Sequence, residues 1–370
     1  MSSLQSQFVA AYGILALLQQ LCNHVYLVLP HSITCRCGCV VNHTVPMNDQ
    51  YPLKNPKMMV TASREIPHTE DHKQLSSECV YFETLIPTKN DDQLYFQIWS
   101  PVNAIESTPT MLYVHGLGDY SDRFSRFVKR FLDAGIRVAA FDHIGHGRSS
   151  GLHGFVPSME TLTDGLECVL KVMQSNPKIA ITNGVYLMGM SMGGLVVVHR
   201  AVCHPDKSYI KGIVAINPLV RVHAASMPHS VVVSAARIIA KVAPTLALSP
   251  ANIGQNHPDP LVEADFYNDP GTYSGWLRVG TGMSMMQGTD EIWDKINGHV
   301  STPPILVIYG SADKVTDPGA TVSFMKKLEI SNNVKLMCME GASHVIWATD
   351  EEADAVFKPI FKWVKELEKL

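Results

Sequence analysis

The central part of the chain alternates short apolar runs with amphipathic stretches, and this alternation restricts the possible folds more than any other feature. Apolar runs typical of buried strands cover residues 94–99, 110–114, 136–141, 185–189, 210–216, 305–309 and 334–339. Apolar side chains recur at helical spacing in residues 122–134, 158–173, 192–203, 321–328 and 350–367. Strands of this kind, separated by helices, form a mostly parallel sheet covered on both faces. The sequence therefore predicts an α/β fold.

Chemically distinctive side chains fall where the predicted strands end. They are His115, Asp142, Ser191, Asp313 and His344. Ligands bind outside the carboxyl ends of the strands in such sheets, so we expect these side chains to lie near one site. Residues 219–300 break the alternation with prolines, glycines, methionines and short helical pieces. An insertion between two strands on the ligand side predicts a cap.

The segment Gly189-Met190-Ser191-Met192-Gly193 is a G-x-S-x-G motif between a predicted strand and a predicted helix. A serine on such a tight turn is held above the sheet, and small flanking glycines permit the turn. The N-terminus of the next helix favours negative charge that develops near the serine. In this context the motif predicts a nucleophile at Ser191.

A serine nucleophile at neutral pH requires a base, and in this arrangement the acid and then the histidine follow the serine along the chain. Two acids follow the strand at 305–309. Asp313 stands at the strand end and is the expected acid, whereas Asp317 precedes Pro318 and is typical of a helix cap. His344 lies in the loop after the last predicted strand and is the last histidine of the chain. We interpret it as the base.

The oxyanion of an acyl-transfer reaction needs two backbone N–H donors. Met192 supplies one directly after the nucleophile, and Leu117, in the turn after the strand at 110–114, supplies the other. His115 and the histidine-containing segment 142–149 are interpreted as loop architecture rather than as metal ligands. No cofactor and no metal are expected.

Composition narrows the class of protein further. The chain has 30 lysines and arginines and 34 acidic residues, which gives a net charge of −4. This charge does not indicate the basic surface that a nucleic-acid-binding protein needs. Apolar residues at 46% and charged residues at 17% exclude a largely disordered chain. Eight cysteines are too few for a disulfide scaffold, and no C-x-x-C pair with zinc spacing occurs.

The N-terminal part differs from the rest. Residues 1–40 contain an uncharged stretch at 8–29, long enough to cross a hydrocarbon layer of about 30 Å. It is a membrane anchor or interfacial helix, a poorly ordered extension, or a removed signal. The Cys-Arg-Cys-Gly-Cys run from Cys35 is an acylation cluster or a set of ordinary loop thiols. Residues 41–77 are polar, rich in proline, and interpreted as a poorly ordered linker before a catalytic domain at 78–370.

The chain resembles the monoacylglycerol lipase branch of the serine α/β-hydrolases from about residue 79 to 364. The segments that carry the resemblance are VHGLGDYSDRF, FDHIGHGRSSG, GMSMGG, APTLALSP, GSADKVTDP and GASHVIW. It implies the α/β-hydrolase fold, with a cap insertion at about 219–300 over an acyl tunnel. It also implies a triad of Ser191, Asp313 and His344 and an oxyanion hole at Leu117 and Met192. The segment GLHGFVPS looks equally like the lysophospholipase-type relatives of this branch.

The resemblance implies cleavage of monoacylglycerol to glycerol and a fatty acid through an acyl-serine, at a membrane or lipid-droplet surface. A lysophospholipase or general carboxylesterase is the alternative, and a catalytically inactive binding module is a different class that the complete triad disfavours. The partner is then a lipid ester, and we expect a membrane-associated enzyme on the cytoplasmic face, or a cytoplasmic one. Apolar runs at 231–233 and 238–239 belong to the core or to a lipid-docking surface. The oligomeric state stays open.

Overall fold

The computed structural model describes residues 64–204, 209–249, 255–296, 300–329 and 333–369. The apolar segment at 1–40 and most of the linker predicted at 41–77 lie outside these ranges. Within them, no helix combines the length and the apolarity that crossing a membrane requires.

The first described residues, 64–78, are packed against the catalytic domain. Helix α1 (Glu70–Glu78) begins after Thr69, whose side chain accepts a hydrogen bond from a backbone N–H of the first turn. The Arg64 guanidinium donates to the carbonyl of Ser149 at 2.6 Å, and Leu75 is buried. The C-terminal part of the predicted linker is thus an ordered part of the domain, because its few apolar side chains find partners that a polar sequence does not reveal.

Two antiparallel strands follow. Strand β1 (Val80–Pro87) pairs along its whole length with β2 (Gln93–Ser100). The next elements are β3 (Thr110–Val114), a 3-10 turn (Ser121–Phe124), α2 (Ser125–Asp133), β4 (Arg137–Phe141), α3 (Met159–Ser175), β5 (Val185–Met190), α4 (Met192–Cys203) and β6 (Ile210–Ile216).

The stretch between β6 and the next sheet strand, to which the cap insertion was assigned, holds three helices and a small two-stranded sheet within its described residues. These are α5 (Ser230–Val242), β7 (Ala247–Ser249), α6 (Pro260–Asn268), β8 (Leu277–Arg278) and α7 (Val279–Lys295). The chain then returns to the main sheet through β9 (Ile305–Gly310), α8 (Pro318–Glu329), β10 (Val334–Met339) and α9 (Asp350–Leu367).

The main sheet has eight strands in the order β1-β2-β4-β3-β5-β6-β9-β10. Strand β2 is antiparallel to both of its neighbours, and all other pairs are parallel. The predicted mostly parallel sheet is therefore confirmed. The ends of β3, β5, β6, β9 and β10 meet at one edge, and the loops that follow them build the candidate site.

Alternate side chains of each central strand enter two separate cores, one on each face of the sheet. On β3, Leu112 belongs to the core that includes side chains of α3, α4 and α8, whereas Tyr113 belongs to the core that includes side chains of α2 and α9. Because both faces are covered by helices, these strands are buried along their whole length, as the apolar runs in the sequence predict.

Candidate active site

The strand-to-helix turn that carries Ser191 is strained and tightly packed. Ser191 lies between β5 and α4 with φ 54° and ψ −117°, a backbone region that L-residues rarely adopt. Its N–H donates to the carbonyl of Ile216 at 3.0 Å, which holds the turn against β6. A Cβ on Gly193 would lie 2.0 Å from the carbonyl oxygen of Val114, so this close approach requires glycine. The turn therefore holds Ser191 at the carboxyl end of the sheet.

Asp313 and His344 form a buried pair in the loops after β9 and β10. Nδ1 of His344 lies 2.7 Å from Oδ2 of Asp313, and the two side chains are 5% and 2% exposed. An ionised carboxylate can only accept, so Nδ1 carries the proton and Nε2 is left as a base. Ser191 and His344 line the same cavity, while Asp313 lies behind the histidine. The three residues predicted as a triad are thus brought to one place.

The two acids after β9 have different partners. Oδ1 of Asp313 accepts the N–H groups of Val315 and Thr316 at 2.7 and 3.0 Å, and the Thr316 hydroxyl donates to Oδ2 at 2.6 Å. Burial by itself raises the pKa of Asp313, but His344 and these donors outweigh it and hold that pKa below its ordinary value. Asp317 instead accepts the N–H of Ala320 at 2.9 Å in the first turn of α8, as expected for a helix cap.

Asn217, at the end of β6, is a site residue that the sequence did not indicate. It is buried, has φ 39°, and donates from Nδ2 to the carbonyl of His344 at 2.6 Å. Its Oδ1 accepts the N–H of Gly310, at the end of β9, at 2.8 Å. One amide side chain therefore ties the loop of the acid to the loop of the base, beside the serine turn. The only sequence signal was an asparagine directly after a buried strand.

We expect Asn217→Asp to lower kcat about 100-fold with little change in KM. The new carboxylate keeps the bond to Gly310 but repels the carbonyl of His344, and a catalytic group displaced by about 1 Å can cost that factor. Steady-state kinetics measure the effect. Asn176→Asp, at the end of α3, is the matched control, because the Asn176 side chain accepts from the N–H of Lys178 and an aspartate can do the same. A rise in KM with unchanged kcat would rule out a role in positioning His344.

The two residues expected to form the oxyanion hole lie on either side of the serine turn. Leu117 follows β3 and lines the cavity together with Gly116 and Ser191. Met192 is the first residue of α4, and its side chain is fully buried, so only its backbone N–H can serve the site. A helix N-terminus at this position adds a positive electrostatic potential.

His115 holds the turn after β3 in place, the architectural role expected for it from the sequence. Nδ1 of His115 donates to the carbonyl of Gly116 at 2.8 Å, and Nε2 accepts the N–H of His143 at 2.9 Å. Burial lowers the pKa of His115 to about 4, against the opposing effect of the Gly116 carbonyl, so the ring is neutral at pH 7. Asp142 accepts the N–H of Arg148 at 2.7 Å and closes the neighbouring loop.

A cavity of about 420 Å³ opens above Ser191 and His344. Its walls come from the central sheet and from α2 on one side and from α6 in the cap on the other. Most of the lining side chains are apolar or aromatic, among them Tyr113, Phe124, Phe127, Met190, Leu261, Val262, Phe266, Leu277 and Trp347. Polar and charged side chains line the rest, among them Asp119, Arg123 and Glu263. A cavity of this mixed kind suits a substrate with both a hydrocarbon part and a polar part.

An ion-pair network joins the cap to the rest of the domain at the edge of the cavity. Arg123, in the 3-10 turn, lies 2.8 Å from Asp265 on α6 and 3.2 Å from Asp269 at its end. Arg123 also lies 3.3 Å from Asp119, in the turn that follows β3. Burial raises the pKa of Asp119 to about 6, although Arg123 opposes this. The network holds α6 over the cavity.

A family model described as serine aminopeptidase, S33 (Hydrolase_4) matches residues 106–352 of the chain. The chain is 29% identical to human monoglyceride lipase over 280 residues, covering 74% of this chain and 87% of that protein. It is 28% identical to caffeoylshikimate esterase of Arabidopsis thaliana over 292 residues, covering 77% and 84%.

Solved structures have the same fold. The monoacylglycerol lipase of Paleococcus ferrophilus superposes with a TM-score of 0.63 at 25% identity, covering 74% of this chain and 99% of that one. A soluble variant of monoglyceride lipase from Saccharomyces cerevisiae, in complex with a substrate analogue, gives 0.66 at 20% identity, covering 78% and 97%.

Proposed function

The chain belongs to the serine aminopeptidase S33 family of α/β-hydrolases, and from this premise we propose that it hydrolyses monoacylglycerol to glycerol and a free fatty acid. The observation that carries the proposal is the buried His344–Asp313 pair, whose histidine lines one cavity together with Ser191 and many apolar side chains. Relatives named monoglyceride or monoacylglycerol lipase support the substrate class.

The reaction proceeds in two half-reactions at one serine. Oγ of Ser191 attacks the ester carbonyl while Nε2 of His344 takes its proton, and Asp313 stabilises the imidazolium. The N–H groups of Leu117 and Met192 hold the oxyanion. His344 then returns the proton to the glycerol oxygen, which leaves. Water, deprotonated by His344, attacks the acyl-serine and releases the fatty acid.

A substrate panel tests this proposal. It compares kcat/KM for 1- and 2-monoacylglycerols, a lysophospholipid, a short p-nitrophenyl ester and an N-terminal proline amide. We expect the monoacylglycerols to be the best substrates, because the cavity offers apolar side chains to the acyl chain and polar side chains to the glycerol hydroxyls. A higher kcat/KM for the lysophospholipid or the short ester would show that monoacylglycerol is not the preferred substrate. A preference for the amide would show that the protein is not primarily an ester hydrolase.

Helix α5 in the cap supports a further part of the proposal, docking on a lipid surface. None of its residues is buried, and Val231, Ile238 and Val242 are 48%, 70% and 81% exposed. These positions repeat at helical spacing and form one apolar face. Val233 and Ile239 are half-buried. Some side chains of the two apolar runs therefore pack against the protein, and others are exposed on its surface. An exposed apolar helix in the cap is suited to dock on a membrane or a lipid droplet.

We expect the double variant Val231→Ser, Ile238→Ser to bind phospholipid vesicles about 30-fold more weakly. Two half-exposed aliphatic side chains lose roughly 2 kcal/mol of transfer free energy, which corresponds to that factor. Hydrolysis of a soluble short ester should stay within twofold. Vesicle flotation measures the binding, and hydrolysis of the soluble short ester measures the activity.

The matched control is Val102→Ser, Ile105→Ser. These side chains are 78% and 67% exposed, but they precede β3 and therefore lie at the opposite edge of the sheet from the candidate site. We expect no change in vesicle binding. Equal weakening by both double variants would argue against α5 as the docking surface.

A further inference from the structure

Outside the candidate active site, three side chains with metal-binding atoms converge where α1 meets the domain. His68 and His72 stand four residues apart at the start of α1, and Asp122 lies in the 3-10 turn. Nδ1 of His72 is 2.5 Å from Oδ1 of Asp122, and Nδ1 of His68 is 3.5 Å from Oδ2. One ligand atom from each residue lies within 4.8 Å of the other two. In the described part of the chain, this is the one such group of three.

The atoms that face one another in this cluster are buried without aligned hydrogen bonds. His72 and Asp122 are 2% and 0% exposed, and the two Nδ1 atoms and Oδ1 lack a partner in hydrogen-bond geometry. The other oxygen, Oδ2, accepts the N–H of Thr69 at 2.9 Å and lies 3.2 Å from the Arg148 guanidinium. Nδ1 of His72 and Oδ1 of Asp122 face each other at 2.5 Å, so an ion bound here would replace the imidazole proton between them.

We propose that His68, His72 and Asp122 bind a zinc ion. Two imidazole nitrogens and one carboxylate oxygen are ligands that zinc accepts. Nε2 of His68 lies 3.3 Å from a carboxylate oxygen of Glu83, which is the outer hydrogen bond that orients a metal-binding histidine. The pairing of Oδ2 with Arg148 leaves Oδ1 for the ion. Water completes the fourth position.

Binding requires a small movement of one ring. The two imidazoles are stacked with centroids 3.8 Å apart and planes at 14°, so a shared ion needs one ring to turn toward the other. His72 is held edge-on by Tyr81 and Trp99, with centroids at 4.9 and 5.6 Å. The His68 side chain is 28% exposed, so it is the ring that can turn while Nε2 stays near Glu83, and its open side admits the ion and its water.

The ion would fasten residues 64–78 to the turn that follows the oxyanion loop. Asp122 adjoins Ser121, whose N–H donates to Asp142 at 2.7 Å, so the cluster connects to the loops beside the site. The role is structural, because the ligands do not line the catalytic cavity. The sequence predicts no metal site, because it has no cysteine pair with zinc spacing and because the segment 142–149 is interpreted as loop architecture. The cluster of His68, His72 and Asp122 carries no sequence motif, because Asp122 follows His72 by 50 residues.

The test is a zinc titration of the full chain with Cys22, Cys35, Cys37 and Cys39 replaced by serine, so that N-terminal thiolates do not bind the metal. After dialysis against a chelator, calorimetry should give one zinc per chain. His68→Gln should weaken binding about 100-fold or more, since even the loss of a ligand's hydrogen-bond partner costs 10–100-fold. Asp122→Asn, which keeps the side-chain shape, should do the same. His204→Gln, an exposed histidine elsewhere, should bind like the parent.

Two further measurements separate a built site from adventitious binding. Zinc at 100 times its Kd should raise the unfolding midpoint of the parent by about 4 °C and leave that of His68→Gln unchanged. Cobalt in place of zinc should give visible d–d bands without thiolate charge transfer, and Asp122→Asn should remove them. No binding by the parent, or binding by both variants equal to that of the parent, would overturn the proposal.

Discussion

Ser191→Ala is expected to lower kcat for monoacylglycerol hydrolysis by a factor on the order of 10⁶, as the loss of a triad nucleophile does in other serine hydrolases. The reaction depends on a covalent bond to Oγ, and alanine has no atom that can form it. The fold should persist, because Ser191 contributes to the structure through its backbone bonds to Ile216 and Leu219. Product release, labelling by a fluorophosphonate, and the unfolding midpoint measure these three effects.

The matched control is Ser274→Ala. Ser274 lines the same cavity but comes from the cap, between α6 and β8. This variant should keep its labelling and at least half of its activity. The nucleophile would be misassigned if Ser191→Ala retained even about a tenth of the parent's kcat.

The central elements of the fold could be predicted from the sequence because their environment leaves a simple pattern. Strands β3, β6 and β10 and helices α4 and α9 begin and end where the apolar pattern places them. Central strands are buried on both faces, so they are continuous apolar runs, and the helices between them bury one stripe. Both patterns depend on local spacing alone.

The missed elements lack such a pattern. Strand β1 is an edge strand with a single buried residue, so its sequence mixes exposed and half-buried side chains. Helix α7 contains Gly280, Gly282 and Gly288, and glycine is a poor helix former. Tertiary packing explains Gly280 and Gly288: a Cβ on Gly280 would lie 2.8 Å from the carbonyl oxygen of Pro244, and one on Gly288 would lie 2.7 Å from Sδ of Met159 on α3. No local rule predicts a helix that depends on such a contact.

The candidate site likewise contains residues that the sequence predicts and residues that it does not predict. The hypothesis for Ser191, Asp313 and His344 rests on motif and strand order, which are properties of the chain in sequence. Asn217 acts through hydrogen bonds to residues 93 and 127 positions away, and a lone asparagine after a strand carries no motif. The His68–Asp122 cluster is equally non-local, because one of its ligands comes from another element of the fold.

Asp313→Asn is expected to lower kcat on the order of 10⁴-fold, with KM nearly unchanged. The carboxylate accepts a hydrogen bond from Nδ1–H, which keeps the proton on Nδ1 and leaves Nε2 free to act as the base. An amide can present its NH₂ group to the ring instead, which favours the wrong tautomer, and it does not stabilise the imidazolium. Because the pKa of Asp313 lies below its ordinary value, the parent carboxylate is ionised at neutral pH and supplies this stabilisation fully. Single-turnover and steady-state kinetics at pH 7 measure the loss.

Asp317→Asn is the matched control, four residues further along the same loop. Its Oδ1 accepts the N–H of Ala320 at the start of α8, and asparagine caps a helix about as well as aspartate. We therefore expect kcat within about twofold of the parent and an unchanged unfolding midpoint. The contrast isolates the negative charge on Asp313, because both variants exchange the same atoms in the same segment. Comparable losses in the two variants would mean that the loop's fold, and not the charge beside His344, governs the rate.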